Sequence, residues 1–154
     1  PPRIWGEDEI CYFANFGGKH FEKWDPNSLH KGIGGSETAV IKLSHEWAKM
    51  GYKVTIYGDP VEPGRQDGVT YLPWYHFNPG DKFNIFIQWR NASLAPTIKC
   101  KKFMVDLHDV THPVDHPEEI VNAVDTYMFK SKYHRDMLPN VPDEKALIVS
   151  NGIL

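Results

Sequence analysis

Short apolar runs alternate along this chain with polar stretches punctuated by glycine and proline. Most of the runs are too brief and too continuous for a helix: Glu9–Ala14, Lys53–Tyr57, Val69–Leu72, Phe83–Ile87, Lys101–Leu107, Thr126–Phe129 and Ala146–Val149. Such runs predict strands buried on both faces. One stretch differs. From Thr38 to Met50, the spacing puts Val40, Leu43, Trp47 and Met50 on one helical face and Lys42, Glu46 and Lys49 elsewhere, and Gly51 stops it. A helix of that length spans roughly 20 Å, enough to cross one face of a sheet. A second helix is expected from Ser131 to about Leu138. Asp59-Pro60 and Pro63-Gly64 are turn signals, and residues 19–35 lack any period, which predicts a long functional or mobile loop.

Strands separated by helices or long crossovers predict an α/β domain with a mostly parallel sheet covered on both faces. Ligands bind such sheets at the carboxyl ends of the strands. The polar residues expected there are Asn15, Gly17, Arg90, Asn91, His108, Asp109, Lys130 and Ser131.

Composition narrows the function class. With 154 residues there is room for one domain with a full core. A net charge of −3 and the lack of any long basic run argue against a nucleic-acid partner, while leaving peripheral membrane contact open. No apolar stretch approaches the roughly 18 residues a membrane helix needs. Cys11 and Cys100 form no disulfide framework, which fits a reducing, cytoplasmic compartment.

The segment Gly32-Ile33-Gly34-Gly35-Ser36-Glu37 opens the long helix. Glycines there allow close backbone approach, and the free N–H groups of a first helical turn attract anions. Gly34, Gly35, Ser36 and Glu37 are therefore candidate phosphate contacts. The Glu37 carboxylate would itself be repelled by phosphate and is expected to turn away, towards the helix dipole or a cap. A dinucleotide fingerprint does not fit: its glycines follow the first strand within a residue or two, whereas here about twenty residues intervene. His108, Asp109, His112, Asp115 and His116 suggest a metal cluster, but Pro113 and Pro117 break the helix that would align them, and no metal or other cofactor is expected.

Four stretches, in order, carry a family resemblance: Gly34-Gly35-Ser36-Glu37 with the Met50-Gly51-Tyr52-Lys53-Val54 exit; Asp106-Leu107-His108-Asp109; Met128-Phe129-Lys130-Ser131-Lys132-Tyr133; and Ala146-Leu147-Ile148-Val149-Ser150-Asn151-Gly152-Ile153. Together the chain resembles the N-terminal domain of GT-B-fold glycosyltransferases, most of all glycosyltransferase family 4. The resemblance implies a Rossmann-like half of a GT-B fold spanning residues 1–154, with helices on both faces. It also implies a retaining sugar transfer from a nucleotide-sugar donor to a sugar or glycan acceptor. In the family the donor is held mainly by a C-terminal domain, which this sequence does not include, so no activity is expected from the chain alone. By the same carry-over, His108 lies beside the transferred sugar and is the catalytic candidate. Arg90, Asn91, Asp109, Lys130 and Ser131 join the glycine loop as binding candidates, with Arg90 either gripping the acceptor or pairing with Asp109. Trp24 and Trp74-Tyr75 are candidate acceptor contacts. Two alternatives stand: half of a GT-B-fold nucleotide-sugar epimerase, and a carbohydrate- or nucleotide-binding module without turnover.

Overall fold

A computed structural model describes residues 1–14, 35–108 and 111–149. The loop expected over 19–35, except for its last residue, lies outside the described residues, as do Asn15, Gly17, Trp24, Gly34, Asp109 and Ser150–Ile153.

The apolar runs become strands: β1 (Glu9–Phe13), β2 (Lys53–Gly58), β3 (Gly64–Gln66), β4 (Val69–Pro73), β5 (Lys82–Trp89), β6 (Lys99–Asp106), β7 (Thr126–Phe129) and β8 (Ala146–Ile148). They form one sheet in the order β3-β4-β2-β1-β5-β6-β7-β8. Neighbouring strands run parallel except β3 and β4, which form an antiparallel hairpin. From β1 the chain steps outward through β2 to β4 and then returns to β5 on the other side. This is a Rossmann-like arrangement, and its order reverses between β1 and β5, the place where such sheets take ligands at the carboxyl ends of their strands.

Continuous apolar strands bury both faces. Cys11 belongs to a core with Phe83, Phe86, Phe103, Tyr127, Phe129 and Val121, whereas Tyr12 next to it belongs to another with Val40, Ile41, Ile56, Ile87 and Trp89. The first core is rich in aromatic rings: Phe86 lies 5.2 Å from Phe103 and 4.9 Å from Phe83, between ring centres. Offset and edge contacts of this kind add about 0.5–1.5 kcal/mol per pair beyond the area buried.

Helices are few. The long one, α1 (Gly35–Lys49), begins three residues before the expected start. Its buried stripe is Val40, Ile41 and Ser44, with Trp47 and Ala48 partly covered, and not the expected Val40-Leu43-Trp47-Met50 face. Met50 is 71% exposed because the helix has already ended. Gly51, at φ +103°, donates to the Ala48 carbonyl and Tyr52 to that of Trp47, the paired bonds of a Schellman cap. The shorter helices are α2 (Glu118–Ala123) and α3 (Lys132–Arg135). The latter stops well before the expected Leu138, and the Arg135 guanidinium then donates to the carbonyls of Leu138 (2.7 Å) and Val141 (2.6 Å). Pro139 also disfavours helical geometry at Leu138.

The β3–β4 hairpin was not expected. Its two-residue loop is Asp67-Gly68, with φ of +52° and +81°, both positive as a type I′ turn requires. A Cβ on Gly68 would also stand 3.1 Å from that of Ala48 on α1. Gly68→Ala is therefore expected to lower unfolding free energy in urea by about 1–2 kcal/mol. Unchanged stability would show that this turn does not fix the sheet edge.

Candidate functional site

Strand alternation builds the site. Residues two apart share a face, so Asp106 and His108 lie on the α1 side of the sheet, together with Tyr12, Trp89 and Lys130. Pairing then makes them neighbours, with Trp89 opposite Asp106 and Asp106 opposite Met128.

At the centre is the Asp106 carboxylate, 1% exposed. Its Oδ1 accepts from the Lys130 ammonium and its Oδ2 from the Tyr12 hydroxyl, which is fully buried. The His108 Nε2 stands 3.2 Å from the same Oδ2 but out of line for a hydrogen bond, so the contact is electrostatic. Among the described residues this buried nitrogen has no hydrogen-bond partner. Burial pushes the Asp106 carboxyl up, but His108 and then Lys130 outweigh it and hold the group below the ordinary carboxylate value. Burial, and then the Asp106 charge, raise the Tyr12 phenol well above its usual value, so it remains a donor.

His108 is packed edge-on against Trp89, with ring centres 6.2 Å apart. The Arg90 guanidinium lies over the same Trp89 ring, 4.2 Å from its centre, and pairs with Glu37 of α1 at 3.1 Å. Glu37 thus reaches across to β5. Arg90 has φ +71°, uncommon for a residue with a side chain, and its N–H donates to the Asp106 carbonyl at 2.8 Å. Backbone held this way tends to occur where a site needs a side chain re-aimed.

The remaining candidates have local roles. The Asn91 Oδ1 accepts from the Ser93 N–H (3.2 Å) and hydroxyl (2.9 Å) and from the Gln88 amide, which fixes the turn after β5. Ser131 caps α3 by accepting from the His134 N–H at 3.0 Å, and the Lys130 N–H donates to the His134 ring at 3.1 Å. Gly35 and Ser36 form the first positions of α1. Of the residues considered for a metal, His116 is buried against the Tyr127 hydroxyl at 3.2 Å, and burial lowers its pKa. Trp74 and Tyr75 are exposed on a 3₁₀ turn after β4.

The structure therefore brings together His108, Lys130, Arg90 and Glu37, and adds Asp106 and Tyr12, which the sequence reading had not marked. A lone acid within the apolar run Phe103–Leu107, two residues before a candidate histidine, was the available signal, since a buried carboxylate requires partners. Tyr12 carried no such mark. No protein-family model, curated protein or solved structure matches the chain.

The depressed Asp106 pKa fixes a pH dependence. Its stabilisation is complete above the unfolded-state value of about 3.9 and is lost as pH falls through the lower folded-state value. Urea unfolding at a series of pH values is expected to show a steeper acid loss for the wild type than for Asp106→Asn. Parallel curves would mean that the carboxylate is not held ionised by its neighbours.

Proposed function

We propose that this domain is the acceptor-side half of a retaining glycosyltransferase that moves a sugar from a nucleotide-sugar donor to a sugar or glycan acceptor. In this reading it is one Rossmann-like half of a GT-B fold, with helices on both sheet faces, and the nucleotide is held mainly by a second domain. The observation that carries the reading is the convergence of His108, Lys130 and Arg90 at the carboxyl ends of β5, β6 and β7, beside the opening of α1. That edge adjoins the crevice where Rossmann-like sheets take their ligands.

Each group has a task under this proposal. His108 hydrogen-bonds a hydroxyl of the transferred sugar, and the glycine-rich start of α1 approaches the donor diphosphate through backbone N–H groups. Lys130 adds positive charge on the same side. Because donor phosphate assists a front-face transfer, no protein nucleophile is needed. The protein's contribution is positioning and electrostatic stabilisation of the leaving group.

The test is transfer by the natural polypeptide that carries this chain, assayed with a panel of nucleotide sugars and with the anomeric configuration of the product read by NMR. Retained configuration is expected, and His108→Ala should lower kcat by roughly a hundredfold while donor KM moves less than about threefold. The chain on its own should bind nucleoside diphosphates only in the millimolar range, a free energy of about −4 kcal/mol. No transfer from any donor, or tight nucleotide binding by the chain alone, would contradict the proposal.

A further inference from the structure

We infer that Asp106 is a positioning residue for His108: it holds the imidazole in the tautomer with its proton on Nε2, so that Nδ1 presents a lone pair to the ligand. The ligand group at that point is then a hydrogen-bond donor, a sugar hydroxyl and not a phosphate oxygen. This deepens the sugar-facing role proposed for His108 and rests on that reading.

The argument is geometric. Of the two ring nitrogens, Nε2 is the one 3.2 Å from the Asp106 carboxylate. A bare nitrogen lone pair this close to an ionised carboxylate would be repelled, whereas an N–H is attracted even when not fully in line. A neutral imidazole with hydrogen on one nitrogen is an acceptor at the other. The groups around the carboxylate agree with this. Lys130, which directly follows β7, already supplies a cation to Oδ1, so the ring need add only an N–H. From β1, Tyr12 occupies part of Oδ2, which accounts for the out-of-line approach of His108. From β5, Trp89 packs edge-on against the ring and restricts its rotation, while the Arg90 charge is drawn to Glu37. Such contacts are often poorly aligned without ligand and tighten when it binds.

Long-range nitrogen–proton correlation spectra of the ¹⁵N-labelled chain near neutral pH read the tautomer directly. The expected pattern for His108 is a protonated Nε2 and a bare Nδ1; the opposite pattern would overturn the inference, and this arm needs no variant to fold. In Asp106→Asn the preference should be lost and the tautomers mix, whereas an unchanged pattern would rule out control by Asp106. Tyr12→Phe keeps the carboxylate and releases Oδ2, so the Nε2-bound proton should move downfield; an unmoved resonance would contradict sharing of that oxygen. In the transferase assay, Asp106→Asn should lower kcat by at least about tenfold with donor KM little changed. If the tautomer is as expected but neither Asp106→Asn nor His108→Ala affects transfer, the pairing stands. The sugar-facing role of His108, and the hydroxyl assigned to it, would then be wrong.

Discussion

Burying the Asp106 carboxylate away from water would cost several kcal/mol if it were left unpaired, a large share of the roughly 5–15 kcal/mol that holds a typical domain folded. The carboxyl edge of the sheet is arranged so that this does not happen. β1 supplies the Tyr12 hydroxyl, β7 leads into Lys130, and His108 follows two residues later on the same edge. Arg90 at the end of β5 is tied to the same residue through its backbone N–H. Groups carried by β1 and β7, far apart in sequence, thus meet at one side chain of β6, while β5 is tied to the backbone of the same residue. In the parallel register Tyr12 is level with Ile87 and Met104, two residues before Asp106. Lys130 follows two residues after Met128, the partner of Asp106, so long side chains reach the carboxylate from below and above.

The same packing keeps this edge rigid. Two aromatic-rich and aliphatic cores clamp the strands from either face, so the polar groups at their ends have little freedom to move. His108 nevertheless keeps a buried nitrogen without a hydrogen-bond partner among the described residues, and Arg90 keeps a left-handed backbone. Both are small departures from the best-satisfied arrangement, located where a Rossmann-like sheet binds ligands.

Much of the fold was legible in the sequence because continuous apolar runs of strand length have few alternatives in an α/β chain. β7 matches its expected bounds, and the other expected strands differ by one or two residues, β5 and β6 at both ends. The hairpin strand β3 was missed because Pro63-Gly64 drew attention to itself as a turn, while the better signal, Asp67-Gly68, stood directly before β4. The apolar stripe of α1 was misplaced by including Met50, which lies in the terminating turn, and omitting Ile41. For the site, strand ends revealed His108, Lys130 and Arg90. Pairing did not show in the sequence: Glu37 and Arg90 meet across 53 residues, and Tyr12 and Asp106 across 94. Such partners emerge only from strand order and register.

The central claim is that Asp106 and its partners act as one electrostatic unit, and a double-mutant cycle in urea unfolding tests it most directly. Asp106→Asn, Lys130→Met and the combined variant would be compared near neutral pH. Lys130→Met alone leaves a buried carboxylate short of its cation, so the account predicts a coupling energy of about 2 kcal/mol between the two positions. A coupling near zero, with the single effects simply adding, would contradict it.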